Sequence, residues 1–215
     1  DSQKRKFVHR MVSGEWMGCF ALTEPHTGSD VASVKTTAKR KNGVYVLNGT
    51  KAWISNCTVF DAGLVLARTG PGERHRGLSL FVIERSMKGI TAREYKKKMG
   101  HHASPTGELV FEDCEVPVEN RIGDEGAGFR MVMESLDRGR LSVAAGALGV
   151  LRACREVSVE YAKTRVVFGQ PIGKFQMVQE RIAEMAVLEE ASRLLVLNHA
   201  RALERGDPAT LVGAI

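Results

Sequence analysis

The segment Lys41-Asn42-Gly43-Val44-Tyr45-Val46-Leu47 carries the clearest local signal for the fold of this chain. Asn-Gly is the strongest short cue for a β-hairpin, because both central residues of the tight turn must tolerate positive φ. The four residues that follow are β-branched, aromatic or aliphatic, which is typical of a strand. The segment therefore predicts a hairpin turn at Asn42-Gly43 that leads into a strand over 44–47.

Further short runs of strand-forming residues recur through the first 120 residues. Clusters rich in Gly, Pro, Ser and Asp separate these runs and are typical of turns. The runs cover residues 17–22, 34–38, 52–55, 64–67, 78–83 and 108–111. Several short strands at this spacing favour a β-barrel or sandwich of about seven strands.

After Gly126 the apolar residues recur at steps of three and four, which is the spacing of helices. This pattern predicts one long helix over 127–163 and a second over 176–205, with Gly206 as its C-terminal cap and Pro208 as a restart. Two long helices cannot bury their apolar faces alone, so we expect further helices from another part of the protein or from another subunit.

The two patterns predict an α+β protein with two domains. A β-barrel or sandwich domain is expected at residues 1–122, and the start of a four-helix-bundle-type domain of long antiparallel helices at 123–215. The chain opens on Asp1 rather than methionine, and Ile215 ends an apolar stretch that looks like the beginning of another helix. We therefore expect this sequence to be an interior piece of a longer protein.

Composition excludes several classes of protein. With 43% hydrophobic and 26% charged residues, the chain has the composition of a folded protein rather than a disordered one. It contains no apolar run near the roughly 20 residues that a membrane helix needs. The four cysteines, Cys19, Cys57, Cys114 and Cys154, lie far apart and form no CxxC motif, so free thiols are expected rather than a disulfide framework or a zinc site.

The basic and histidine-rich stretches have ordinary interpretations. Residues 39–41 and 96–98 contain only Lys and Arg, but aromatic residues make up just 6% of the chain, so solvated surface is a better interpretation than a nucleic-acid site. His101 and His102 are adjacent and would face opposite ways on a strand, and no cluster of ligands accompanies them. No metal site is predicted.

Two segments carry groups that suit a bound heterocycle. Residues 23–30 (Thr-Glu-Pro-His-Thr-Gly-Ser-Asp) follow a predicted strand with a loop that offers backbone N–H groups and short hydroxyl donors. Residues 53–56 (Trp-Ile-Ser-Asn) place an indole, which can stack on a planar ring, beside a hydroxyl. Each segment alone has a simpler and commoner interpretation, the first as a turn between strands and the second as a core tryptophan.

Together the two segments resemble signatures of the acyl-CoA dehydrogenase flavoprotein family, TEP-x-x-GSD and K-x-W-I-[ST]-N. The resemblance continues in order along essentially the whole chain. It includes Lys98-Met99-Gly100, Ser104-Pro105-Thr106, Phe111-Glu112-Asp113, Val116-Pro117, Gly126-Ala127-Gly128-Phe129, Leu136-Asp137-Arg138-Gly139-Arg140, Arg165-Val166-Val167-Phe168-Gly169 and Phe175-Gln176. It implies FAD-dependent removal of two hydrogens from the α and β carbons of an acyl-CoA thioester, giving the trans-2-enoyl-CoA.

The resemblance also implies which residues hold the cofactor. The loop after the first strand would cradle the flavin, Trp53 would lie against the ring system, and Ser55 would hydrogen-bond near the hydride-accepting N5. Residues of the helical half would reach the adenosine–pyrophosphate part of a flavin in a neighbouring subunit. The implied FAD residues are Phe20, Leu22, Thr23, Gly28, Ser29, Trp53, Ile54, Ser55, Arg165, Phe168 and Gln176.

The acyl-CoA is expected to contact Ser29, His102, Asp137 and Arg140, again by resemblance. Thr27 departs from the family, which usually has a small residue there. Because threonine lacks the freedom of glycine at positive φ, we expect the flavin contact at this loop to be slightly rearranged.

The resemblance places no catalytic base within this chain. One branch of the family carries its glutamate at the position of Gly139, which cannot take a proton. We therefore expect a carboxylate base beyond residue 215, positioned and raised in pKa by its surroundings.

Several alternatives remain open at this point. The same fold could serve an acyl-CoA oxidase, a reductase-direction enzyme, a non-catalytic flavin- or CoA-binding paralogue, or a β-domain with helices and no cofactor. For the dehydrogenase, the resemblance implies an electron-transfer flavoprotein as acceptor and a homotetramer or homodimer. Free thiols and the absence of a leader are compatible with bacterial cytoplasm or, after loss of a transit peptide, the mitochondrial matrix.

Overall fold

The computed structural model describes residues 2–70, 74–207, 210 and 213. The chain divides into two compact units, Asp1–Val132 and Met133–Ile215. Within the described residues no helix is both long enough and apolar enough to cross a membrane. The predicted domain boundary at residue 122 stays a prediction, since the units meet inside a continuous helix.

The first unit is built on one mixed sheet of eight strands among the described residues, in the order β6-β7-β3-β2-β4-β5-β8 with β1 beside β4. Its strands are β1 (Gly18–Ala21), β2 (Thr37–Lys41), β3 (Val44–Ser55), β4 (Ala62–Arg68), β5 (Leu78–Glu84), β6 (Ile90–Glu94), β7 (Thr106–Pro117) and β8 (Arg121–Ile122). β1 runs parallel to β4, whereas β3 pairs antiparallel with both β2 and β7. The α+β class is confirmed, with a sandwich-like sheet in place of a closed barrel.

The predicted hairpin is present, with φ of 49° at Asn42 and 82° at Gly43. The strands predicted over 44–47 and 52–55 are wrong as separate elements, because both belong to the twelve-residue β3. The strand predicted from residue 34 begins only at Thr37. The short β6 and β8 were not predicted, nor was an N-terminal helix that is π-helical over Lys4–Val8 and continues as α1 (His9–Val12).

Apolar side chains from most strands of the sheet form the main core. It includes Tyr45, Leu47, Phe60, Phe81 and Phe111, all at most 2% exposed. All four cysteines are free thiols; Cys19, Cys57 and Cys114 are buried in the first unit, and Cys154 is exposed in the second. The first unit therefore depends on apolar packing and a few buried polar groups.

The second unit contains most of α2 (Gly128–Thr164) and all of α3 (Gln176–Arg205), which lie within about one residue of the predicted helices. A small hairpin of β9 (Val166–Val167) and β10 (Gln170–Pro171) connects them. Gly206 ends α3 at φ 74°, as predicted, and its N–H bonds the carbonyl of Leu203. The restart predicted at Pro208 lies outside the described residues. Large apolar side chains stay exposed on both helices, among them Val143, Val150, Val157, Val187 and Leu188.

Short 3₁₀ helices complete the connections. They lie at Val31–Ser33, Arg74–Gly77, Val118–Asn120 and Ile172–Lys174.

A buried ion pair joins three parts of the first unit. The ammonium of Lys51 on β3 is fully buried and donates to Glu24 Oε1 at 2.9 Å and to the carbonyl of Leu22 at 3.0 Å. The Glu24 carboxylate also accepts the backbone N–H groups of Lys35 at 2.7 Å and Thr36 at 2.9 Å. This explains why β2 starts late: the N–H groups before it serve a carboxylate instead of a neighbouring strand.

The pKa values of the pair reflect burial and pairing in opposite ways. Burial lowers the pKa of Lys51 to about 8, although Glu24 favours the charged form. Burial alone would raise the pKa of Glu24, but Lys51 and the donated N–H groups outweigh it and hold that pKa below its ordinary value of 4.5. Glu24 is therefore ionised at neutral pH, and both of its carboxylate oxygens accept hydrogen bonds.

Replacing Lys51 by methionine should destabilise the protein by about 3–5 kcal/mol, because it leaves the buried Glu24 carboxylate without its cation. The measurement is the free energy of unfolding in urea. Lys39→Met, which changes an exposed lysine on β2, is the matched control and should shift stability by no more than about 0.5 kcal/mol. The double variant Lys51→Met/Glu24→Gln should regain part of the loss. Equal, small effects of Lys51→Met and Lys39→Met would contradict the role of the pair.

The stabilisation from Glu24 should depend on pH in the acid range. Because its folded pKa lies below its ordinary 4.5, the carboxylate stabilises the fold above that pH and loses this effect as the pH falls through the folded pKa. The stability difference between the parent and Glu24→Gln should therefore shrink steadily below about pH 4.5. Both proteins should carry His26→Gln, since His26 Nε2 lies 3.6 Å from the same carboxylate. A difference that stays constant from pH 7 to pH 3 would refute the ionised pair.

Candidate functional site

The loop predicted as a ligand cradle is a tight turn held by its own backbone. Glu24 and Thr27 exchange N–H···O bonds of 2.9 and 3.1 Å, and the Thr27 hydroxyl donates to the Asp30 carbonyl at 2.7 Å. Thr27 does not lie among the residues with positive φ, so the steric objection to threonine at this position does not apply. Gly28 and Ser29 follow the turn and are exposed.

The structure brings the two predicted segments together. The N–H of Ala52, next to Trp53, donates to the carbonyl of Thr23 at 2.8 Å. One residue earlier, the Lys51 ammonium binds the Leu22 carbonyl. The end of β1 and the end of β3 are therefore adjacent. The loop of residues 23–30 thus begins beside the part of β3 that carries the indole.

Trp53 is exposed rather than part of the core, which overturns the simpler interpretation of this residue. Its side chain is 63% exposed and its φ is +60°. Ser55, two residues on, is exposed as well. Ile54 between them lies in the hydrophobic core, so its side chain cannot contact a ligand, and only its backbone is available for the predicted role.

A cavity of about 710 Å³ opens beside these residues, a volume typical of small-molecule sites. Its walls are mainly apolar and include three of the predicted cofactor residues, Phe20, Trp53 and Ser55, with the Asn56 amide next to them. An apolar wall, an exposed indole and a hydroxyl fit a planar heterocycle with polar edges. Leu22, Thr23, Gly28, Ser29 and Ile54 do not line this cavity.

Cys19 also lines the cavity, but its thiol is not poised for nucleophilic chemistry. Burial, with a smaller effect from Cys57, raises the pKa of Cys19 to about 12. A thiol that stays protonated is a weak nucleophile. The chemical capacity of the cavity is therefore to bind a ring rather than to attack a substrate.

His102 lies on an exposed loop that is held by hydrogen bonds from Lys98. Lys98 Nζ donates to the His101 carbonyl at 2.8 Å, to the Thr106 hydroxyl at 3.1 Å and to the carbonyl of Ser104. His101 and His102 both precede β7 and lie outside any strand, so the argument from opposite faces of a strand does not apply to them. Among the described residues no group of three or more His, Cys, Asp and Glu side chains could hold a metal ion.

Three of the predicted cofactor residues cluster around the small hairpin of the second unit. Phe168 is at its tip, 92% exposed with φ +53°, and its ring meets that of Phe175 edge-on at 6.5 Å. Arg165 precedes β9, and its carbonyl accepts the N–H of Ile172 at 2.8 Å. Gln176 begins α3 directly after Phe175, and both Arg165 and Gln176 are exposed.

The predicted CoA residues of the second unit are paired with each other. Arg140 donates to Asp137 Oδ1, and the hydroxyl of Thr210 donates to Asp137 Oδ2 at 2.7 Å. Gly139 lies between them on α2 with nothing within 4 Å of the place a Cβ would occupy. That position has room for a side chain and carries none.

Sequence reasoning missed the functions of four residues. The alternation of β3 places Lys51 on the same face as Tyr45 and Leu47, and a buried lysine requires an acidic partner, so the pairing with Glu24 could have been inferred. Tyr95, whose ring meets that of Trp53, and Glu108, which accepts the Tyr95 hydroxyl, gave no such signal, because their contacts depend on the pairing of distant strands.

Comparison with known proteins identifies the family of the chain. The family model for the acyl-CoA dehydrogenase middle domain matches residues 19–114, and that for the C-terminal domain matches residues 126–215. An acyl-CoA dehydrogenase of Bacillus subtilis is 42% identical over 215 residues, which are 98% of this chain and 57% of that protein.

Solved structures give the same picture. Butyryl-CoA dehydrogenase from Megasphaera elsdenii superposes with a TM-score of 0.93 at 41% identity, over 99% of this chain and 56% of that one. PigA with FAD and proline superposes at 0.96 and 34% identity, over 100% and 56% of the two chains. The chain thus spans about half the length of the relatives it matches. It belongs to the acyl-CoA dehydrogenase family.

Proposed function

We propose that the intact protein is an acyl-CoA dehydrogenase, which converts an acyl-CoA thioester into the trans-2-enoyl-CoA with FAD as cofactor. The observation that carries this proposal is the hydrogen bond from Ala52 to Thr23, which joins the loop of residues 23–30 to the strand that presents Trp53 and Ser55. Family membership supplies the reaction class, and the adjacent segments supply a surface suited to a flavin.

In this proposal the first unit holds the flavin ring. Trp53 provides a face on which the ring stacks, and the Ser55 hydroxyl donates a hydrogen bond to its edge beside the Thr23 hydroxyl. Phe20 covers part of the apolar wall. FAD held by these residues would supply a hydride acceptor for the β hydrogen of the acyl group. The protein contributes position and electrostatics.

The hairpin of the second unit is proposed to serve the flavin of a neighbouring subunit in a homotetramer or homodimer. The exposure of three side chains supports this proposal. Arg165, Phe168 and Gln176 are all exposed at or beside the hairpin and are therefore accessible to a ligand. A guanidinium can make two parallel hydrogen bonds to a phosphate, which suits the pyrophosphate of FAD.

In the first unit, Ser29 and His102 are proposed to contact acyl-CoA. In the second unit, considered by itself, Asp137 and Arg140 are proposed to contact coenzyme A. Arg140 suits the negatively charged groups of coenzyme A. Asp137 accepts a hydrogen bond from Arg140 and so holds the guanidinium in place.

The base that takes the α proton is proposed to be a carboxylate beyond residue 215. The carboxylates near the two motifs have other tasks. Glu24 is buried against Lys51 with a lowered pKa, which makes it a poor base. Asp137 accepts hydrogen bonds from Arg140 and Thr210, and Gly139 offers no acid. An electron-transfer flavoprotein is the proposed acceptor, in bacterial cytoplasm or the mitochondrial matrix.

Turnover of the intact protein against a panel of straight-chain, branched and dicarboxylic acyl-CoAs should test the proposal directly. With FAD and an artificial electron acceptor, at least one acyl-CoA should give its 2-enoyl product, identified by mass spectrometry. The control omits the acceptor under air. Rapid reoxidation by oxygen without the acceptor would favour an oxidase, conversion only of the enoyl-CoA would favour a reductase, and binding without any turnover would favour a non-catalytic paralogue.

Removing the indole of Trp53 should weaken FAD binding. Trp53→Ala should cost roughly 1–3 kcal/mol, the value of one aromatic stack, which is about 5- to 150-fold in Kd. The measurement is titration of the intact apoprotein with FAD, followed by flavin fluorescence. Trp53→Phe should lose less. Val59→Ala, which shortens an exposed side chain outside the cavity, should leave Kd unchanged. An FAD affinity that is the same in Trp53→Ala and in the parent would remove Trp53 from the site.

A further inference from the structure

The backbone around Trp53 departs from regular strand geometry. Lys51 pairs with Leu109 and Ile54 pairs with Gly107, so Ala52 and Trp53 on β3 lie opposite the single residue Glu108 on β7. This is a β-bulge, a feature that re-aims a side chain. The φ of +60° at Trp53 is strained for a bulky residue and costs about 1–3 kcal/mol.

The bulge turns the indole away from the core and onto one aromatic neighbour. The ring centroids of Trp53 and Tyr95 are 4.6 Å apart with an interplanar angle of 55°. Trp53 is 63% exposed, so much of its surface makes no contact within the described residues. The ring of Tyr95 therefore restrains the plane of the indole from one side.

Tyr95 is itself anchored at both ends. Its N–H donates to the Thr106 carbonyl at 2.8 Å, and its hydroxyl donates to Glu108 Oε1 at 2.9 Å. Burial, and then the hydrogen bond to Glu108, raises the pKa of Tyr95 to about 12, so the hydroxyl remains a donor throughout the physiological range. The carboxylate that fixes Tyr95 belongs to the residue that lies opposite the bulge.

We propose that Tyr95 and Glu108 are positioning residues that hold the Trp53 indole in the plane required by the ring of the bound cofactor. Neither needs to touch the cofactor; Glu108 fixes the Tyr95 hydroxyl, and Tyr95 supports one side of the indole. The cofactor half of this inference rests on the proposed function, whereas the restraint on the indole does not.

Tryptophan fluorescence permits a direct test, since this chain holds two tryptophans, Trp16 and Trp53. In the intact apoprotein, replacing Trp16 and every tryptophan outside this chain by phenylalanine leaves Trp53 as the one tryptophan, and time-resolved anisotropy excited at its absorption edge then reports the mobility of its indole. Adding Tyr95→Leu should at least double the amplitude of the fast anisotropy decay. It should also weaken FAD binding by about threefold or more, because a pre-oriented ring is lost. Urea unfolding checks that the variant is folded.

Milder variants keep the proposal testable if Tyr95→Leu does not fold. Tyr95→Phe and Glu108→Ala each remove the anchoring hydrogen bond, so both should loosen the indole to a similar, smaller extent. Glu108→Gln retains an acceptor oxygen and should restore the parent behaviour. Thr91→Ala, an exposed change on β6, is the matched control and should alter nothing.

Unchanged anisotropy in folded Tyr95→Leu, or in both Tyr95→Phe and Glu108→Ala, would overturn the proposal. A looser indole with unchanged FAD affinity would overturn its cofactor half. A parent protein that binds no FAD would instead refute the proposed function, while the anisotropy series would still decide whether Tyr95 and Glu108 orient Trp53.

Discussion

The arrangement of the first unit depends on a buried charge, because burying an unpaired charge costs a large free energy. A lysine ammonium in the interior is tolerated only with a charged partner and enough acceptors, and Lys51 finds both in Glu24 and in the carbonyl of Leu22. Glu24 in turn needs donors, which it takes from the backbone at Lys35 and Thr36. The end of β1, the approach to β2 and the middle of β3 thereby meet at one point. These contacts fix the loop of residues 23–30 against β3. The adjacency of this loop and Trp53 in the candidate site depends on them.

The bulge that follows Lys51 determines which residues of β3 face a ligand. Along β3 the side chains of Tyr45, Leu47 and Lys51 are buried, and regular alternation would carry Trp53 and Ser55 inward as well. The extra residue in the bulge reverses the pattern, so that Ile54 enters the core while Trp53 and Ser55 emerge together. A single irregularity thus converts two core positions into two exposed positions, with Ile54 packed in the core between them.

The sequence predicts local features of this chain much better than contacts between distant segments. The helices over 128–164 and 176–205 follow from a sustained apolar period and from Gly206, and the hairpin follows from Asn42-Gly43, since all of these signals lie within the elements themselves. β3 is predicted as two strands because Asn48 and Gly49 are poor strand formers; pairing with β7 keeps that stretch extended. β6 has only Ile90 and Thr91 as strand formers and is also held extended by pairing with β7. Trp53 was found from its motif, but its exposure depends on the bulge, and Tyr95 and Glu108 reach it only through the register of β6, β3 and β7.

The carboxylates of Glu24 and Glu108 hold neighbouring groups in place and are not set up to take a proton. A general base needs a carboxylate with a pKa near the working pH and a free lone pair toward the substrate. Glu24 has neither, because its oxygens bind Lys51 and two N–H groups and its pKa is lowered. Glu108 accepts the hydroxyl of Tyr95, whose ring meets that of Trp53. Glu24 thus holds an ammonium and two backbone N–H groups, and Glu108 holds a tyrosine hydroxyl, so both carboxylates are engaged in fixing other groups in place.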